Sequence, residues 1–193
     1  MLPLNSQHYQ LIKDLTWDEV FEIWRENEET NPAWINHWQS KGFKSWQQWR
    51  QTMAEPWECS QRQWYLYKVN NPLVVAPQWR GGPFRTWRKF FYRNQNFATF
   101  HDIITGPHID QHPGYQKMLS LFDNFPGNTT MTALLTNQGP VIIEGMHRGC
   151  ALALAALNNK KLNTKIYLTI ASAQGEELAL SGQKPEDSGI TLK

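Results

Sequence analysis

Glu144, Gly145, Met146, His147 and Arg148 stand in one short stretch, Pro140-Val141-Ile142-Ile143-Glu144-Gly145-Met146-His147-Arg148-Gly149-Cys150-Ala151. An arginine and a histidine beside a glycine form an anion-binding combination. A guanidinium grips two oxygens of a phosphate at once, and a glycine lets the ligand approach the backbone. In this reading the N–H groups near Met146–Arg148 cradle the phosphates, and His147 donates a hydrogen bond or acts as general acid or base. Glu144 holds Mg2+ or activates a hydroxyl. Glu144 and His147 are therefore the candidate catalytic residues, and Gly145, Met146, His147 and Arg148 the candidate phosphate-binding residues. The plainer alternative is a buried strand and helix in which Glu144 simply pairs with Arg148.

The flanking residues supply elements to position this set. Val141–Ile143 is β-branched and predicts a strand, while Ala151-Leu152-Ala153-Leu154-Ala155-Ala156-Leu157 favours helix. A strand that turns through glycine into a helix aims unpaired N–H groups and the positive end of the helix dipole at one spot. Thr130–Leu135 predicts the hairpin partner, with Asn137-Gln138-Gly139 as the turn, and Lys165–Ile170 a returning strand. A helix starts at Gly114-Tyr115 and carries Tyr115, Met118, Leu119 and Phe122 on one stripe. Farther upstream, Trp64–Val69 and Leu73–Ala76 predict two strands, and Thr86–Arg93 a helix.

Before Gln61 the sequence predicts three short helices. Thr16 and Glu19 form a capping box, Asn31-Pro32 opens the second helix with Gly42 just past its end, and Ser45 caps the third. All ten tryptophans lie between Trp17 and Trp87, first of all as packing groups. The fold class is thus α/β (α+β), a small mixed sheet with packed helices behind a Trp-rich helical N-terminal region. Residues 1–60 are that extension, 61–171 the α/β domain, and 172–193 a polar, loose tail.

A second region with chemistry runs from Arg62 to Arg93. No Asp or Glu occurs between Glu58 and Asp102, and the cations alternate with aromatic rings. Arg80, Arg85, Arg88 and Lys89 are the candidate nucleic-acid contacts, with the rings available to stack on bases unless they are core. Gly81-Gly82 could fold around an anion or be an ordinary turn. His101, His108 and His112 lie near Asp102 and Asp110, but Pro107 and Pro113 deny them a register, and no metal site is assigned.

Composition narrows the classes. No apolar run approaches a membrane span, the N-terminus lacks a basic-then-apolar leader, and two cysteines do not make a disulfide scaffold. A cytoplasmic protein without a membrane partner is the expectation. The net charge of +2 divides unevenly. Residues 1–60 hold five Lys/Arg against nine Asp/Glu, and residues 61–193 hold fourteen against eight.

Gly145-Met146-His147-Arg148-x-x-Ala151, with its flanking hairpin, helix and returning strand, resembles the Gly-x-His/Arg-Arg-x-x-Ala turn of the ParB/sulfiredoxin superfamily over about residues 114–171. The resemblance implies phosphate or nucleotide binding at the turn, with a nucleoside di- or triphosphate and Mg2+ as cofactors and phosphotransfer or hydrolysis as the associated chemistry. Sulfiredoxin activity is not expected, because its nucleophilic cysteine falls on Met146, and a thioether forms no thiolate. Cys150 shares a stripe with Ala153, Leu154 and Leu157 and reads as core. Partition activity is not expected either, since residues 149–193 leave little room for a helix-turn-helix domain. Relatives with Asp-Gly-His-His-Arg, described as nucleases or a nucleotide-dependent serine kinase, come nearest, with Glu144 for Asp and Met146 for the first His. The function expected is a nucleotide- or phosphate-binding ParB-like protein. The alternative is a non-enzymatic nucleic-acid-binding module using residues 62–93.

Overall fold

The hairpin expected around Gly139 forms the middle of the sheet. β4 (Asn128–Thr136) and β5 (Gly139–Glu144) pair antiparallel, and Gly139 takes φ +97° to close the turn between them. In a computed structural model describing residues 4–92, 97–173 and 178, β6 (Lys165–Ser172) lies parallel to β4 on its other side. β2 (Trp64–Val69) and β1 (Tyr9–Leu15) extend that edge antiparallel. The two-residue β3 (Arg80–Gly81) lies parallel to β5. The strand order is β1-β2-β6-β4-β5-β3, a mixed sheet of α+β type.

Strand alternation divides the core into two. Met131, Ala133 and Leu135 of β4 and Ile142 of β5 face one side. There they meet α6 (Phe100–Thr105), α7 (Tyr115–Asp123) and α8 (Met146–Leu157). Leu134, Val141 and Ile143 face the other side, where Trp24, Trp46, Trp49, Trp57 and Trp64 are all buried. The tryptophans thus cover the second sheet face. Trp24 Nε1 donates to Thr132 Oγ1 at 2.6 Å, and Thr169 Oγ1 donates to the same oxygen at 2.8 Å, so these three buried polar atoms are satisfied.

The covering layer starts where the sequence marks it. α1 (Trp17–Glu28) opens on the Thr16/Glu19 capping box, with both reciprocal bonds formed. α2 (Pro32–Ser40) has Asn31 as N-cap and proline at its first position, and Gly42 follows its end at φ +78°. Ser45 caps α3 (Trp46–Ala54), which tightens into a 3-10 turn at Glu55–Trp57.

Two expectations are corrected, and one open alternative is decided. Residues 1–60 are not purely a helical extension, because β1 pairs with β2 from Tyr9↔Val69 to Leu15↔Trp64 and belongs to the sheet. Its middle residues are exposed, so it lacks the alternation that identifies a strand. Leu73–Ala76 is not a strand: Pro72 starts α4 (Pro72–Val75), and Asn71 O accepts Val74 N at 3.0 Å. The Gly81-Gly82 segment is not an anion loop. Gly81 N donates to Ala98 O at 3.0 Å and Gly82 N to Met146 Sδ at 3.2 Å, leaving no N–H for a ligand. The Thr86–Arg93 helix forms as α5 (Arg85–Trp87) continued by a π-turn over Arg88–Tyr92; Arg93 lies outside the described residues. So does most of the tail from Ser172.

Candidate functional site

At the carboxyl end of β5 the chain turns through Gly145 (φ +97°) into α8, with no side chain capping the helix. Only glycine fits here, since a Cβ would meet Met131 Cβ at 2.9 Å and press harder still on its Cγ. The stretch Ile143–Arg148 lines a cleft of about 650 Å3. The α8 side meets the tryptophan layer across it, with Lys117 of α7 and Arg85 of α5 on the walls. The volume is that of a small-molecule site.

Arg148 is held from below. It donates to Glu144 Oε1, to Thr129 Oγ1, to Thr130 O at 3.1 Å and to Asn27 Oδ1 at 3.2 Å. Asn27 Nδ2 in turn donates to Glu144 Oε2 at 3.3 Å and Thr130 O at 3.2 Å. Both carboxylate oxygens of Glu144 are therefore occupied, and its side chain is 4% exposed against 12% for Arg148. Burial pushes the Glu144 carboxyl up, while the Arg148 charge pulls it down. The pair is the floor of the cleft, tying the turn to β4 and to α1. Asn27 comes from the helical layer, and nothing in its sequence context marks it.

A second buried pair stands on the opposite wall. Arg50 forks onto Glu28, which also accepts Trp46 Nε1 at 3.2 Å. The Arg50 guanidinium lies 4.1 Å from the ring centre of Trp49 and 5.3 Å from that of Trp34. With Glu28 and Glu144 both engaged in this way, Lys41, Arg85 and Lys117 remain as lining cations without an ion-pair partner among the described residues. Lys117 Nζ stands 5.7 Å from the Trp34 ring centre; burial lowers its pKa, Glu28 and Glu144 raise it, and Arg148 and Arg50 lower it further. The cleft therefore has a positive excess that no carboxylate among the described residues neutralises.

His147 lies against Trp87, ring centres 5.3 Å apart, and against Gly114, where a side chain could not fit. Burial drives its pKa down to about 3, with Lys117, His112 and Arg148 adding to the effect. It is neutral at physiological pH and a weak proton acceptor. His112, whose Nδ1 accepts Gly114 N at 3.0 Å, stacks on Trp87 at 4.4 Å. Met146 is buried, its thioether turned toward Gly81 and Gly82. Cys150 is fully buried, as its helical stripe requires.

Two of the four proposed nucleic-acid cations have different surroundings. Arg85 faces the cleft, whereas Arg80 Nε donates to Gln138 O at 3.1 Å. Of the rings interleaved with these cations, Trp64, Tyr67, Trp79, Trp87 and Tyr92 are buried, whereas Phe84 and Phe90 are half-buried. Among the described residues no group of three His, Cys, Asp or Glu side chains converges, and no helix is long and apolar enough to cross a membrane.

The fold and site together define an α+β protein with a cationic, aromatic-walled cleft at a strand-to-helix turn. No family model, curated protein or solved structure matches this chain.

Proposed function

We propose that the cleft binds a phosphate ester, most specifically a nucleotide, at a turn of the ParB/sulfiredoxin kind. The observation that carries this reading is the trio Lys41, Arg85 and Lys117, cations without an ion-pair partner among the described residues, lining the same cleft as the uncapped start of α8. A helix start supplies N–H donors, and cations without carboxylate partners supply the counter-charge for phosphate oxygens. Arg148 takes a different part from the one its motif position implies. Held by Glu144, it fixes the turn, so that direct phosphate contacts fall to Lys117 and Arg85. Mg2+ enters on the phosphates of the ligand rather than at Glu144, whose oxygens are both engaged.

The reading is one of binding. A neutral His147 contributes shape and a hydrogen bond, and a base of such low pKa contributes little to proton transfer at pH 7. The experiment is a thermal-shift panel of nucleoside mono-, di- and triphosphates with and without Mg2+. A ligand at one hundred times its Kd stabilises by about 2.7 kcal/mol, a rise of several degrees. A flat response across the whole panel at millimolar concentration would refute the reading.

A further inference from the structure

We infer that α2 is the ring-binding wall of this cleft and that Trp34 selects ligands carrying a flat aromatic ring, so that the site takes a nucleotide in preference to a sugar phosphate or inorganic polyphosphate. The inference rests on the phosphate reading above and adds to it the identity of the other half of the ligand. Three tryptophans line the cleft. Trp49 is 3% exposed, with the Arg50 guanidinium 4.1 Å from its ring centre. Trp87 is 6% exposed and stacked with His112 at 4.4 Å. Trp34 alone of the three is half-buried, and its close neighbour Lys117 is a cation without an ion-pair partner among the described residues. A ligand ring at Trp34 would sit beside that ammonium, which a phosphate on the same ligand would recruit.

The helix that carries Trp34 is built unlike its neighbours. α1 and α3 each bury residues against the sheet face, whereas α2 buries none. It nonetheless presents Trp34 and His37, with Lys41 at its end, to the cleft. Its ends are set by the Asn31 cap and by Gly42 in the left-handed region, where a Cβ would meet nothing within 4 Å. Trp38 packs against the edge of the tryptophan core, whereas Trp34 both touches that core and lines the cleft. A tryptophan, a histidine and a lysine facing a cationic cleft suit a stacked base with phosphates beyond it.

The test is calorimetric titration of the full chain with ADP and, separately, with inorganic pyrophosphate, using the parent, Trp34→Leu and Trp34→Phe. The expected result is a loss of ADP affinity of at least tenfold in Trp34→Leu, pyrophosphate affinity within twofold of the parent, and recovery of most ADP affinity in Trp34→Phe. Unchanged ADP affinity in Trp34→Leu, beside intact pyrophosphate binding, overturns the role of Trp34 and leaves the phosphate site standing. An equal loss of both ligands in Trp34→Leu also overturns it, since the residue then acts on the phosphates or the fold. If the parent binds neither compound, the phosphate reading fails and this inference fails with it. Trp34 also packs against Trp49, ring centres 5.3 Å apart, so Trp34→Leu should lower the melting temperature modestly; the ratio of ADP to pyrophosphate affinity, which a general loosening of the fold leaves unchanged, then decides the role of Trp34.

Discussion

The guanidinium of Arg148 grips the carboxylate of Glu144 across the Gly145 turn, and Asn27 of a helix far away in sequence bonds to both. The residue that looks most like a free phosphate clamp in the sequence is the keystone of the cleft floor. Arg148→Ala leaves a buried carboxylate without its partner, which costs about 3–5 kcal/mol. At roughly 2–4 °C per kcal/mol for a chain of this size, the melting temperature should drop by about 10 °C. The double variant Glu144→Gln/Arg148→Met removes the charge as well and should be less damaging than Arg148→Ala alone. Calorimetric melting of the three proteins checks this; a double variant that is the worst of the set contradicts it.

Two glycines with the same φ of +97° should respond differently to alanine. Gly139→Ala meets open space and carries only the left-handed strain, about 1–2 kcal/mol. Gly145→Ala carries that strain and also drives its methyl into Met131, so its loss should exceed that of Gly139→Ala by a further 1 kcal/mol, roughly, or more. Urea unfolding of both variants gives the comparison.

Acid should destabilise the protein through its histidines. The folded His147 has a pKa near 3 and an ordinary value near 6.5 when unfolded, so between these values the unfolded chain binds a proton that the folded chain refuses. Its contribution is therefore present above pH 6.5 and is lost progressively as pH falls toward 3. His112, also lowered by burial, adds in the same direction. The urea midpoint should fall steeply from pH 7 to pH 4, and His147→Asn should flatten that slope. A slope as steep in the variant as in the parent contradicts the assignment.

Much of this was legible because local rules and tertiary needs agreed. The capping box at Thr16, the proline after Asn31, the Gly139 turn and the alanine-rich α8 all formed where residue types called for them. β1 was hidden because it is an edge strand with an exposed middle, so its identity lies in its pairing with β2 and not in its own pattern. Leu73–Val75 misled because β-branched residues were overruled by the helix-starting Pro72. At the site, Gly145 and the helix start could be read from five consecutive residues, but the cleft could not. It depends on Lys117, Arg85 and Lys41, which come from separate elements and meet only in the folded chain. Arg148 and His147 line the cleft, but the Asn27 contact of the one and the burial of the other are long-range facts that local sequence does not carry.

The central claim is that the cleft cations Lys41, Arg85 and Lys117 hold the phosphates of a nucleotide. Its most direct test is calorimetric titration of parent and Lys117→Ala with the nucleotide that gives the largest thermal shift. A charge-assisted hydrogen bond contributes about 1.5–3 kcal/mol, so Lys117→Ala should weaken binding by roughly tenfold to a hundredfold, with the melting temperature of the free protein unchanged. Binding of equal strength in parent and variant would contradict the account.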